Sequence, residues 1–151
     1  MTCRGAELLF DHIGIVVRDM DEGVASLAAL SGPLTWTRRF DDTGLGVSVR
    51  FGRCSMGVVY EIIAPLGEIS PVRHALESRS NLLNQIAYRT RSLDESVARL
   101  RAGRLAVPAS PAAPALAFGG APVQFLMTRL GFLIELIEID RIVHQFEDES
   151  G

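Results

Sequence analysis

Two glutamates stand where core residues ordinarily belong. Glu61 lies in Val58-Val59-Tyr60-Glu61-Ile62-Ile63 and Glu135 in Phe132-Leu133-Ile134-Glu135-Leu136-Ile137, each mid-run with apolar neighbours on both sides. Strand alternation groups Glu61 with Val59 and Ile63, and Glu135 with Leu133 and Ile137, so neither occupies a natural solvent-facing position. A lone buried carboxylate is costly unless it is protonated, paired or bound to a cation. Two more polar groups interrupt apolar runs: His12 in Phe10-Asp11-His12-Ile13-Gly14-Ile15 and Gln85 in Leu82-Leu83-Asn84-Gln85-Ile86-Ala87. Brought together, the four would offer one imidazole nitrogen, two carboxylates and one amide oxygen. That donor set suits Zn, Mn, Fe, Co or Ni, and suits Mg less well. A divalent cation of this kind would bind a substrate's oxygens and stabilise the negative charge formed when a proton leaves the carbon next to a carbonyl, with Glu135, or Glu61, as the base.

An internal repeat is the reason to bring them together. Shifting the sequence by 73 positions lays His12 on Gln85 and gives eight identities over positions 12 to 30: Ile13/Ile86, Arg18/Arg91, Asp21/Asp94, Glu22/Glu95, Val24/Val97, Ala25/Ala98, Leu27/Leu100 and Ala29/Ala102. Near the end of each half the offset becomes 74, and Glu61 falls on Glu135. A self-similar period marks one supersecondary unit copied, with the copies burying a face that neither could bury alone. His12 by itself would more often be a hydrogen-bonded core histidine, and either glutamate could face water on a half-exposed strand. Their shared placement at equivalent positions favours the ligand reading for all four.

Each copy reads as β-α-β-β-β. In the first, Leu8 to Val17 is a strand rich in β-branched residues. A helix follows, with Asp19 as cap, Glu22 three residues on, an apolar stripe at Val24, Leu27 and Leu30, and a stop at Ser31-Gly32-Pro33. Strands are expected at Leu34 to Phe40, Val47 to Arg53 and Val58 to Ala64. The second copy repeats the helix start with Ser92 and Glu95, ends that helix at Gly103, and offers strands at Leu105 to Val107, Gln124 to Thr128 and Phe132 to Ile139. Ser110-Pro111-Ala112-Ala113-Pro114 reads as a loop. The expected organisation is one α+β domain over 1–151, with a first module at 8–65, a linker at 66–80 that holds a short helix near Pro71 to Glu77, a second module at 81–139, and a tail at 140–151 whose acidic end frays. Two tandem βαβββ modules would form a cupped mixed β-sheet.

The bulk properties narrow the class. A length of 151 residues with 48% hydrophobic composition fits one domain with a sizeable core. The net charge of −3, with scattered Lys and Arg, argues against nucleic acid and anionic membrane surfaces as partners. No secretory leader or bilayer-spanning run is evident, so a cytoplasmic location is expected. Cys3 and Cys54 stand outside any ligand spacing and read as reduced thiols. His74 and His144 fall outside the repeat pattern and read as surface residues, Glu138 as an ordinary outward-facing charge, and Arg38, Arg39 and Arg73 as solvated. Trp36, Phe51 and Phe125 suit pocket lining and core packing equally. The apolar excess points to a homodimer.

The chain resembles the vicinal oxygen chelate superfamily, the glyoxalase, bleomycin-resistance and extradiol-dioxygenase group, across residues 8 to 139. Within it, Phe10-Asp11-His12-Ile13-Gly14-Ile15-Val16-Val17 and Glu61-Ile62-Ile63-Ala64-Pro65-Leu66-Gly67-Glu68, followed by Ser70-Pro71, look most like the methylmalonyl-CoA epimerases. The resemblance implies that His12, Glu61, Gln85 and Glu135 take four metal-ligand positions. It departs at Gln85, where an epimerase typically has a second His, although one His, one Gln and two Glu is similar to the ligand set of some glyoxalase I enzymes with Gln and His exchanged between halves. An epimerase also has a second acidic base, at the position held here by Gly44; Asp41 or Asp42 would have to replace it. The implied function is a metal-dependent isomerase or lyase, epimerase-like or lactoylglutathione lyase-like, acting on an acyl thioester or a glutathione adduct. The alternative is a metal-free, drug-sequestering binding protein in which the polar groups only hydrogen-bond.

Overall fold

A computed structural model describes residues 7–78 and 82–147. Cys3 and the last residues of the acidic end lie outside them, and so does part of the expected linker. The first module runs β1 (Leu9–Val16), α1 (Met20–Ser31), β2 (Thr35–Trp36), β3 (Phe40–Asp42), β4 (Val47–Arg53) and β5 (Val59–Pro65). A short helix, α2 (Arg73–Ser78), precedes the second module: β6 (Leu83–Thr90), α3 (Leu93–Ala102), β7 (Ala106–Pro108), β8 (Ala113–Pro114), a 3-10 turn at Leu116–Phe118, β9 (Pro122–Thr128) and β10 (Leu133–Glu138).

The helix starts are those the capping residues dictate. The Asp19 side chain accepts a hydrogen bond from the Glu22 amide at 2.9 Å, and Ser92 accepts from the Glu95 amide at 3.2 Å. Met20, Gly23 and Leu27 form the buried stripe of α1. A side chain at Gly23 would meet Val17 at 2.8 Å, so the glycine sets how closely this helix approaches the sheet. No helix among the described residues is long and apolar enough to cross a membrane.

All ten strands join one mixed sheet in the order β2-β4-β5-β1-β6-β10-β9-β7, with β3 on β4 and β8 on β9. That order is a palindrome of equivalent strands. At its centre β1 and β6 run antiparallel with Ile13 opposite Ile86, a repeat-equivalent pair, so a pseudo-two-fold axis passes between these two residues. Each opening strand then pairs in parallel with the closing strand of its own module, β1 with β5 and β6 with β10. The sheet curls into the cup of the vicinal oxygen chelate fold, an α+β architecture.

Two differences from the expected strands follow from this symmetry. The run expected as one strand from Leu34 to Phe40 is two short ones, because only Thr35–Trp36 and Phe40–Asp42 pair with β4. The expected loop over 110–114 contains β8, which is the repeat equivalent of β3 and makes the equivalent pairing, on β9.

Candidate functional site

The register brings the four polar residues to one place. Gly14 lies between Glu61 on β5 and Gln85 on β6. Ala87 lies between His12 on β1 and Glu135 on β10. Directly opposed residues share a face of a sheet, so the four side chains emerge on the same concave side, each dyad mate across from a small residue. The small residues are required. A methyl group at Gly14 would stand 2.8 Å from Cγ of Gln85.

All four are deeply buried, with His12 at 0% exposure and Glu61, Gln85 and Glu135 at 4–5%. Nε2 of His12 lies 2.6 Å from Oε2 of Glu61 and 3.9 Å from Oε1 of Glu135. Neither approach has the geometry of an aligned hydrogen bond, and these three atoms have no hydrogen-bond partner among the described residues. They all lie within 4.8 Å of one another. Buried polar atoms are paired in the great majority of proteins; here one imidazole nitrogen and two carboxylate oxygens crowd a common space with the His12–Glu61 ion pair as their closest contact. One nitrogen and two carboxylate oxygens fit a first-row divalent ion. Gln85 joins less directly. Its Nε2 donates to Oε2 of Glu135 at 3.3 Å and its Oε1 accepts from Asn84 at 2.7 Å, so ligation by the amide oxygen requires the terminal amide to turn over.

Electrostatics show how the cluster stands without a cation. Burial opposes the charged imidazole of His12, but the Glu61 carboxylate beside it, with Asp11 and Glu135, raises its pKa to about 10. Burial, and then the negative charge of Glu61, pushes Glu135 well above the usual carboxylate range. The metal-free centre therefore holds protons at His12 and Glu135.

A cavity of about 470 Å³ opens onto Glu61, Gln85 and Glu135, walled by β4, α2 and apolar groups that include Val49 and Phe125. His12 does not line the cavity; it is fully buried against Phe51 and Phe118, whose rings lie 5.2 and 6.1 Å from its own. Of the aromatic candidates, Phe125 lines the cavity, Phe51 packs on the His12 ring, and Trp36 covers Gly52. His74 is exposed, as expected of a surface residue, yet stands at the cavity wall. A wider cleft of about 1050 Å³ lies beyond Phe118 and holds none of the four.

The substitute bases weighed for Gly44 are committed elsewhere. Asp42 borders the cavity, but its Oδ1 accepts from the Leu45 amide and its Oδ2 from the Leu116 amide. Asp41 points away, tied to Arg39 at 2.8 Å and Ser48 at 2.6 Å. Among the arginines, Arg38 stacks over Phe40 and Arg73 donates to the Gly67 carbonyl. Glu138 is exposed, but it is not idle: its Oε2 accepts from the Leu93 amide at the start of α3.

Two residues to which the sequence reading gave no site role complete the centre. Asp11, in a bulge of β1 and 7% exposed, accepts from Nδ1 of His12 at 2.7 Å and faces Nε of Arg89 at 3.1 Å. His144 corrects an expectation: it is no surface residue, its side chain is 2% exposed, and its Nε2 lies 2.7 Å from the same Asp11 oxygen. Burial works against the Asp11 charge, yet the hydrogen bonds from His12 and His144 hold its carboxyl well below the usual range. An aspartate beside a candidate ligand histidine was a visible signal. His144 gave none, since it lies outside both repeats.

Comparison with known proteins agrees with this fold. A model of the Glyoxalase/Bleomycin resistance protein/Dioxygenase superfamily matches residues 11–125. Curated protein sequences give no match. Among solved structures, methylmalonyl-CoA epimerase from Mycobacterium tuberculosis is 24% identical, with 87% of this chain and 88% of that chain covered at a TM-score of 0.70. A hypothetical protein from Bacillus halodurans C-125 is 24% identical over 93% of this chain and 99% of its own, at 0.74. A Streptomyces coelicolor methylmalonyl-CoA epimerase variant in complex with 2-nitronate-propionyl-CoA is 25% identical over 87% and 97%, at 0.67.

Proposed function

We propose, on the premise that this chain belongs to the Glyoxalase/Bleomycin resistance protein/Dioxygenase superfamily, that it is a divalent-metal enzyme abstracting a proton next to the carbonyl of a small acyl thioester. The observation that carries the reading is the convergence of three buried donor atoms, His12 Nε2, Glu61 Oε2 and Glu135 Oε1, with both carboxylates opening onto a substrate-sized cavity. His12, Glu61 and Glu135 would hold the ion, with Gln85 as fourth ligand after its amide turns over. The ion would supply a Lewis acid for the substrate's oxygens and for charge developing on them.

The chain's own groups do the rest. Glu135 would be the base, loosening from the ion to accept the proton; away from the ion, burial and the Glu61 charge raise its affinity for a proton. Glu61 keeps a close contact to His12 and stays with it. The apolar walls, Val47, Val49 and Phe125 among them, exclude water from the carbanion formed. Epimerisation needs a second base on the opposite face, and with Asp42 engaged by two backbone amides and Asp41 turned away, one carboxylate serves both proton removal and return. That favours a one-base isomerisation over epimerisation. The thioester class rests on neighbours whose complexes are with methylmalonyl-CoA and 2-nitronate-propionyl-CoA. A cytoplasmic homodimer is part of the same reading.

Metal content of protein purified without chelator is the decisive measurement. The expected result is near-stoichiometric transition metal, or uptake of added Co, Ni, Mn or Zn accompanied by exchange of the substrate's α-proton with solvent deuterium. Neither content nor uptake would end the enzyme reading in favour of a metal-free binding protein, a reading that the Gln85–Glu135 hydrogen bond favours.

A further inference from the structure

The C-terminal segment after β10 is held in place by three contacts. Phe146 bridges to Thr37, the Glu147 amide donates to the Trp36 carbonyl at 2.8 Å, and Arg53 lies 4.4 Å over the Phe146 ring. Between these anchors and β10 the segment places His144 inside the cup. Its ring lies against Phe51 at 4.3 Å and Phe118 at 5.6 Å, and its Nε2 reaches Asp11. One oxygen of Asp11 thus receives two imidazole nitrogens, each at 2.7 Å, while the other faces Arg89.

These three groups do not form a second metal site. Asp11 is already engaged on both oxygens, Oδ2 by the two imidazoles at 2.7 Å each and Oδ1 by Arg89 at 3.1 Å, and the guanidinium beside it opposes a second positive charge. What they form is a relay. A histidine that donates one ring N–H to a fixed carboxylate presents the other nitrogen, in a fixed direction, to a metal.

We infer that His144 is a positioning residue for the metal centre: by hydrogen-bonding Asp11 it locks the carboxylate that turns the His12 ring so that Nε2 faces Glu61 and Glu135. The inference rests on the metal reading proposed above and adds to it a residue from outside the repeated modules. Asp11 alone could swing about its side-chain torsions. With His144 on the oxygen that His12 uses, and Arg89 on the other, it has a single arrangement.

Two substitutions separate positioning from packing. His144→Phe keeps an aromatic ring against Phe51 and removes the donor, whereas His144→Gln keeps an N–H that can reach Asp11 and loses the ring. Co²⁺ affinity, read from the visible d–d absorption, should fall by about 10- to 100-fold in His144→Phe, the usual effect of losing such an outer partner. His144→Gln should retain most of the affinity, and the metal-free melting temperatures should not follow that order. The Asp11→Asn/His144→Phe double variant should lose no more than Asp11→Asn alone, since residues in one chain of contacts are non-additive. Wild-type affinity in His144→Phe, or losses that track metal-free stability, would overturn the inference and leave the metal reading standing. Wild-type protein that takes up no Co²⁺ overturns both.

Discussion

The two closing strands are near-copies, but the segments that leave them treat the cup in opposite ways. After β5 the chain runs through 66–78 and sets Val72, His74 and Ala75 of the α2 region at the cavity wall, leaving Glu61, Gln85 and Glu135 open to it. After β10 it runs through 140–147 and drops His144 onto Asp11, with Phe146 closing behind. The pseudo-dyad places the polar residues; the unrepeated segments make the two sides unlike, one opening directly onto the carboxylates and the other pinning Asp11 through His144, which lines the wider cleft. An internally symmetric sheet acquires a front and a back from sequence that lies outside the symmetry.

The sharpest way to break this comparison is to treat the equivalent glutamates alike. Glu135→Gln should retain fold and lower the rate of substrate α-proton exchange by about 10²- to 10⁴-fold, the usual contribution of a positioned base. Glu61→Gln should chiefly weaken metal binding, because Glu61 lies 2.6 Å from His12 and Glu135 3.9 Å. Deuterium incorporation followed by NMR, with metal content measured on the same samples, compares the two. Unchanged exchange in Glu135→Gln removes it from the mechanism.

A second contrast is in protonation. On the braced side Asp11 stays ionised, whereas on the open side the metal-free protein holds protons on His12, with a pKa of about 10, and on Glu135, raised by burial and by Glu61. A cation needs the lone pair of His12 and the charge of Glu135, so its uptake expels protons and its affinity rises with pH across the neutral range. Titration calorimetry in two buffers of different ionisation enthalpy should report release of about one proton or more per ion at neutral pH. Buffer-independent heats would mean that the ligands are already deprotonated.

Much of the frame was legible from residues. The 73-residue shift paired His12 with Gln85, the 74-residue shift near the end of each half paired Glu61 with Glu135, and the capping pairs at Asp19/Glu22 and Ser92/Glu95 located both helices to within a residue or two. The same shift would have revealed β8, since Phe40–Asp42 maps onto 113–115, but Ala113-Pro114 carries turn chemistry and reads as loop from composition alone. His144 was illegible for a different reason. Its burial comes from Phe51, Phe118 and Asp11, residues 26 to 133 positions away in sequence, and no local pattern encodes such a contact. Asp42 was weighed as a base because spacing reports proximity; that the Leu45 and Leu116 amides occupy it is a tertiary fact.

Gly14 and Ala87 offer a smaller test of the dyad, through stability. They are equivalent positions, and only one accommodates a methyl group, because Gln85 crosses Gly14 at 2.8 Å from where that methyl would stand. Gly14→Ala should destabilise by about 1–3 kcal/mol, the range for overpacking a filled site, and displace Gln85 from Glu135. Chemical denaturation measures the first. A near-neutral effect would mean that Gln85 swings away freely, and would weaken its place among the ligands.

The smallest expected effect lies at the two helix starts. Met20 and Leu93 begin α1 and α3, and both helices carry a side-chain cap and two acidic residues in the first turn. Among the described residues only α3 has a further acceptor, Glu138, whose Oε2 lies 2.9 Å from the Leu93 amide; the equivalent position in the first module is Ala64, buried beneath α1. A carboxylate at a helix N-terminus contributes about 0.3–1 kcal/mol when exposed, so Glu138→Ala should lower the melting temperature by a few degrees at most. High salt should shrink the difference, because the interaction is screened at an exposed site. A loss that salt leaves untouched would point instead to the hydrogen bond itself as the larger part of what Glu138 contributes.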